Sequence, residues 1–365
     1  MKVIQPRNFH GLKFIWVLAV LLAFALFTWR RDAPAESDPA WTGQTMGTTY
    51  SIRLAGVRLR ARELAMVQKD VQAVLDEVNR QMSHYQPDSE LSRFNRAGAD
   101  QPFPVSAGFA RVVRFALELH RRSGGVFDPT LGPLIDLWGF GPPGLVTKPP
   151  DEAPLQDVRS QCGASHLFLP EDGALRKNLP GLHLNLSAVA KGYGVDEAAR
   201  YLRERGFSNV FVEVGGEVTT FGVNSSGQKW RVGVDAPRPE SRPGEDIEAV
   251  LHLSGQAVAT SGDYRTFFVD DEGRRFSHIL DPRTGRPILH TLTSVSVVAS
   301  NCLEADGLAT TLMVLGTEEG LRWLADWPGA EALFIDRLPD GRFQLRATMG
   351  FAAATGFAPP SAPVP

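Results

Sequence analysis

Asp306 and Thr310 stand four residues apart in the stretch Asn301-Cys302-Leu303-Glu304-Ala305-Asp306-Gly307-Leu308-Ala309-Thr310-Thr311. Asn301 is a good helix N-cap, and the apolar positions Leu303, Leu308, Leu312 and Met313 to Leu315 run up to Gly316, a natural C-terminal glycine. On a helix, residues i and i+4 share a face, so one carboxylate and one hydroxyl oxygen converge there. A magnesium ion wants such hard oxygen ligands and completes its shell with water, backbone carbonyls and substrate phosphates. A second reading of the same pair is structural: Asp306 complements the helix N-terminus and Thr310 is a packed hydroxyl.

Asn185-Leu186-Ser187-Ala188-Val189-Ala190-Lys191-Gly192-Tyr193 has related texture. It opens a helix expected to run to Arg205 and close at Gly206. Small residues in its first turn let a ligand approach the backbone, and free N–H groups beside Lys191 suit a diphosphate. Here too a plainer reading stands, a solvated lysine on an amphipathic helix.

Further segments keep this company. Thr45-Met46-Gly47-Thr48 leads a strand, Met82-Ser83-His84-Tyr85 ends a helix, and Gly125-Val126-Phe127-Asp128-Pro129-Thr130 and Ser277-His278-Ile279-Leu280-Asp281-Pro282 are turn-rich blocks. In order and spacing these blocks resemble the FAD:protein FMN transferases, the ApbE family, from about Gly43 to Gly316. The resemblance implies a reaction in which FAD is split at its pyrophosphate, AMP leaves, and FMN is esterified to a threonine or serine of an acceptor protein. It implies FAD as substrate, Mg²⁺ as cofactor, and as partner an acceptor flavoprotein with a Thr/Ser flavinylation motif on a membrane redox complex. Carried over by position, Asp306 and Thr310 resemble Mg²⁺ ligands through their side chains, and Ala188 one through its carbonyl. The flavin nucleotide is expected at Met46, Tyr85, the Phe127-Asp128-Pro129 segment, Asn185, Lys191 and Ile279. His278 titrates near neutrality by default and is the candidate for taking the acceptor hydroxyl's proton, with Asp306 as its catalytic companion; a structural histidine or a flavin contact are the other readings. Asn185 departs from the pattern, since family members commonly carry an acid there.

The implied fold is α+β: an ApbE-like, T-fold-related single catalytic unit of mixed helices and antiparallel sheet, preceded by an N-terminal membrane segment. Local patterns agree. Leu64, Val67, Val71, Leu75, Val78 and Met82 have helical spacing, and Ser106 caps a further helix ending at Gly124-Gly125. Strand patterns follow from Val210, Trp230, Ala249, Leu292 and Ala332, and Thr266 to Ser277 reads as a hairpin turning near Glu272-Gly273. With 365 residues, 43% hydrophobic and a net charge of −3, the chain has ample core and no basic face for nucleic acid. Cys162 and Cys302 allow at most one disulfide.

Phe14 to Trp29 is an uncharged apolar run between Lys13 and Arg30. As a helix it spans about 24 Å at ~1.5 Å per residue, just short of the ~30 Å hydrocarbon core. The expected order is a cytoplasmic N-terminus at 1–13 and a transmembrane anchor or signal segment at 14–30. A tether at 31–42, the catalytic domain at 43–350 and a disordered Ala/Pro tail at 351–365 follow. Arg30-Arg31 argues against cleavage and for a single-pass inner-membrane anchor with the enzyme in the periplasm; cleavage near Ala33-Pro34-Ala35 is the alternative.

Overall fold

The structure, a computed structural model, describes residues 19–22, 38–144, 146–170 and 173–364. The expected membrane segment thus lies, but for 19–22, outside the described residues. Among those described, no helix is long and apolar enough to cross a membrane.

An eight-stranded antiparallel sheet carries the fold, and its spatial order is its sequence order. The strands are β1 (Ala40–Thr45), β2 (Thr48–Leu54), β3 (Val210–Val214), β4 (Glu217–Phe221), β5 (Gln256–Gly262), β6 (Leu292–Ala299), β7 (Glu331–Arg337) and β8 (Phe343–Ala347). Four long helices are inserted into this meander: α1 (Ala61–Met82), α2 (Ala107–Arg122), α3 (Ser187–Glu204) and α4 (Cys302–Leu324).

Strand periodicity explains which face each helix covers. Tyr50, Ile52 and Leu54 of β2 and Val210, Val212 and Val214 of β3 pack with Val67, Val71 and Leu75 of α1 and Val195 and Leu202 of α3. Toward the other end of the sheet, Val295 and Val297 of β6 and Phe334 of β7 join Leu308 and Leu312 of α4. The opposite face, including Val258, Val298 and Leu333, is covered by a hairpin of Trp230–Asp235 and Ile247–Leu253. Covered on both sides, β6 is buried at every position, its polar residues Thr293, Ser294 and Ser296 included, as a strand between two packed layers is.

Three expectations need correction. Gly316 does leave helical geometry (φ 75°, ψ 173°), yet the chain re-enters helix at once and runs to Leu324. The reason is tertiary: Thr317 Oγ1 donates to the Asp336 carboxylate of β7 at 2.8 Å, and Gly320 and Leu324 remain buried. The tail at 351–365 is ordered in its described part, because Phe351 is buried in the core and Val364 exchanges two backbone bonds of 2.8 Å with Phe343. The sheet begins at Ala40, inside the stretch read as a tether, because Ala40 to Thr45 pair with Thr48 to Arg53.

Candidate functional site

A cavity of about 840 Å³ opens where several connections meet. Its wall takes residues from the start of α3, the β3–β4 turn, the end of β5, the 126–131 loop, the 278–282 segment and the inner face of α4.

The β3–β4 turn is made by Gly215 and Gly216, with φ of 57° and 101°. Both positions need left-handed backbone, so the pair makes a two-residue hairpin that sets Val214 opposite Glu217. Glu217 thereby enters the cavity wall at 2% exposure. Its Oε1 accepts a bond of 2.5 Å from Lys191 Nζ, and its buried Oε2 has no partner among the described residues.

Lys191 comes from the second turn of α3, and its Nζ also lies 3.9 Å from Asp306 Oδ1. Asp306, 3% exposed, uses Oδ2 to accept the Gly192 N–H at 2.9 Å. The result is one cation between two buried carboxylates. Burial alone would pull the Lys191 pKa down; Asp306 and Glu217 outweigh it and raise it, so the ammonium stays charged. Burial holds both acids above the ordinary carboxylate range, against the pull of Lys191.

Two helices must nearly touch for this to happen. A side chain built at Gly192 would place its Cβ 2.2 Å from the Cys302 carbonyl oxygen and 2.8 Å from Asp306 Cβ. Gly192→Ala is therefore expected to lower stability by about 1–3 kcal/mol through overpacking, although alanine is preferred in helices by about 1 kcal/mol. Urea unfolding checks this; an unchanged or raised midpoint would mean that α3 and α4 separate without cost.

Thr310 also lines the cavity, and its Oγ1 lies 3.3 Å from Ser261 Oγ of β5. Ala188 lines it from the first turn of α3. His278 is delivered by the expected hairpin, in which Phe267–Val269 pairs with Arg275–Ser277. Its Nδ1 lies 3.1 Å from the Thr266 carbonyl oxygen. A carbonyl only accepts, so Nδ1 carries the hydrogen and Nε2 keeps the lone pair. Burial lowers the His278 pKa, with the Thr266 bond opposing.

Phe127, Asp128, Asn185 and Ile279 line the same cavity. Asp128 is also a loop organiser: Oδ1 accepts from the Thr130 N–H at 2.8 Å and hydroxyl at 2.6 Å, and Oδ2 from the Ala164 N–H at 3.3 Å. Asn185 Oδ1 accepts the Ser187 N–H at 2.9 Å and so opens α3, while its amide nitrogen has no partner among the described residues.

Three expected contacts fall elsewhere. Pro129 is behind the wall, and its carbonyl accepts the Asn185 N–H at 2.8 Å, which joins the two blocks. Met46 and Gly47 form the β1–β2 turn with φ of 49° and 72°, and the Met46 thioether packs where a side chain at Gly194 would be. Tyr85 is 64% exposed and its ring lies tilted by 41° against His84, with centroids 4.1 Å apart. Neither Met46 nor Tyr85 is in the cavity wall.

Glu217 is a site residue that the sequence reading did not single out. A signal existed for Glu217: Gly215-Gly216 between apolar alternations marks a hairpin and hence the position that follows it. Cys162 and Cys302 are both free thiols.

The ApbE family pattern matches residues 46–334. The chain is 40% identical over 336 residues to an FAD:protein FMN transferase of Vibrio cholerae, covering 92% of this chain and 97% of that protein. It is 38% identical over 309 residues to the FAD:protein FMN transferase of Escherichia coli K12, covering 82% and 86%. Among solved structures, the flavin transferase ApbE from Vibrio cholerae matches with a TM-score of 0.77 at 38% identity, over 88% of this chain and 99% of that one. The apo flavinyl transferase ApbE of Pseudomonas stutzeri matches with a TM-score of 0.77 at 34% identity, over 88% and 98%. On its fold, its sequence and the span of the match, this chain belongs to the ApbE family.

Proposed function

We propose that this enzyme transfers FMN from FAD to a serine or threonine hydroxyl of an acceptor protein. The acceptor oxygen forms a new ester bond to the FMN phosphorus, the diphosphate bridge breaks, and AMP leaves with the bridging oxygen. The observation that carries the reading is one cavity holding both the Lys191–Glu217–Asp306 cluster and a histidine with a free ring nitrogen.

Phosphoryl transfer is mainly positioning and charge neutralisation, which is what a fixed ammonium beside a diphosphate supplies. Lys191 is held by Glu217 from behind, so it is oriented before substrate arrives. His278 Nε2 is the atom that takes the acceptor hydroxyl's proton. Phe127 and Ile279 give apolar surface to the flavin ring, with Asn185 offering its free amide donor to the nucleotide.

The donors present suit Mg²⁺. Among the described residues no three His, Cys, Asp or Glu side chains form a metal cage, and Mg²⁺ does not require one, since it keeps water and phosphate ligands. Asp306 Oδ1 is beyond hydrogen-bond reach of Lys191, and Thr310 adds a hydroxyl. Gly192 N–H, which in a regular helix closes on the Ala188 carbonyl, is given to Asp306. The Ala188 oxygen is left with at most a shared donor, which favours its use as a ligand. Bound there, Mg²⁺ would neutralise diphosphate oxygens.

Release of AMP from FAD, measured by chromatography with and without an acceptor protein, tests the reading. AMP production that rises with acceptor supports transfer. Equal production in both, with free FMN as co-product, would make the enzyme a hydrolase.

The His278 assignment predicts a pH dependence. A general base must be neutral, and burial lowers the His278 pKa, so the base form prevails at and above ~6.5. The turnover number is expected to be flat through neutral pH, to fall only below ~6.5, and to drop about 10²–10⁴-fold in His278→Gln. A pH–rate profile whose His278-dependent inflection lies above 7 contradicts this.

The apolar run from Phe14 to Trp29 supports placing the catalytic unit outside the cytoplasm, anchored to the inner membrane. Fractionation that finds the native protein in the cytoplasm would overturn that placement.

A further inference from the structure

We propose that Asp196 is a positioning residue that sets the register of α4 on α3 and thereby the place of Asp306 beside Lys191; the proposal rests on the transfer reaction inferred above. The observation is a reciprocal tie between the two helices. Asp196 of α3 reaches the open N-terminus of α4, where Oδ1 accepts the Cys302 N–H at 2.8 Å and Oδ2 the Leu303 N–H at 2.9 Å. One turn on, Asp306 of α4 reaches back and accepts the Gly192 N–H of α3 at 2.9 Å. Each tie uses a carboxylate of one helix and a main-chain donor of the other, four residues apart on both helices.

The first turn of α4 already has an ordinary cap. Asn301 Oδ1 accepts the Glu304 N–H at 3.0 Å, and that bond is local, within α4 and its own cap. Asp196 instead takes the two donors that Asn301 leaves and fastens them to the neighbouring helix. Burial pushes its acid up to about 6, so at neutral pH it is ionised and both oxygens accept, a charged group placed against the positive end of a helix.

Two hydrogen-bonded points fix translation and rotation of α4 where one would act as a pivot. The missing side chain at Gly192 leaves no spacer between the helices, so a lost tie is free to become a shift of Asp306 relative to Lys191 Nζ. Misplacement of about 1 Å in an active site costs on the order of 10²-fold in rate.

The test compares Asp196→Ala with Asn301→Ala in the full chain. Both uncap α4, so both are expected to lower the melting temperature to a similar extent. Only Asp196→Ala is expected to lower kcat for AMP release from FAD, by about 10–100-fold, with KM for FAD changed less than about threefold. Asp196→Asn, which keeps one acceptor oxygen, should fall between parent and alanine variant, and it serves as the folded variant should the alanine change not fold. Equal kcat losses in Asp196→Ala and Asn301→Ala, or kcat within twofold of the parent in both Asp196 variants, would reduce Asp196 to a cap and overturn the proposal. A parent that releases no AMP in the same assay would instead strike at the transfer reading.

Discussion

Asp306→Ala is expected to yield a folded protein whose release of AMP from FAD falls by about 10²–10³-fold, the loss typical of removing one preorganised electrostatic group. The fold should survive because the change takes away one of two buried carboxylates and leaves Lys191 paired with Glu217 at 2.5 Å. What disappears is the oxygen that lines the cavity beside Lys191 and Thr310. Thr310→Ala should be milder, since water can replace a neutral hydroxyl at a hard cation. Chromatographic assay of AMP, with circular dichroism as the check on folding, decides it. Unchanged AMP release by folded Asp306→Ala would remove Asp306 from the chemistry and leave it the structural role of accepting the Gly192 N–H.

Lys191→Met should have the largest effect on stability. It removes the only cation of the cluster and leaves Glu217 and Asp306 buried at 2% and 3% exposure without their counter-charge. Breaking a buried pair in this way costs about 3–5 kcal/mol. The sign with pH follows from the acids. Both are already raised by burial, and without Lys191 they rise further, so the folded variant binds protons that the unfolded chain has released. Stability of the variant is therefore highest at low pH, and it is lost as pH climbs from the ordinary carboxylate range through the raised folded values. Urea titrations at pH 5 and pH 8 should show a clearly larger deficit at pH 8, and adding Glu217→Gln should recover part of it. An equal deficit at both pH values would mean that the carboxylates are not charged against each other in the fold.

Much of the site could be read from local rules. Asn301 as a cap and the i, i+4 spacing of Asp306 and Thr310 are properties of one helix, and the structure has that helix with both residues in the cavity wall. The start of α3 and the hairpin before His278 are equally local, since turn glycines and apolar alternation specify them. What escaped was set by tertiary packing. Glu217 matters because a two-glycine turn aims it at Lys191, 26 residues away, and Asp196 because α4 begins beside it. Met46 looked like a ring contact by type, yet its place in a tight turn sends the thioether into the space above Gly194. Helix α4 passes Gly316 because Thr317 finds Asp336 on β7, and the C-terminal segment is ordered because Phe351 and Val364 find core and strand partners. None of those pairings leaves a trace in local sequence spacing.

The central claim is that a protein hydroxyl, not water, receives the FMN phosphoryl group in the cavity of Lys191, His278 and Asp306. The most direct measurement is mass spectrometry of a candidate acceptor protein after incubation with the enzyme, FAD and Mg²⁺, followed by denaturation. The account predicts one FMN on a single serine or threonine, one AMP released per flavin attached, and both products formed about 10²–10³-fold more slowly with Asp306→Ala. An acceptor that stays unmodified while FAD is converted to free FMN and AMP would contradict it.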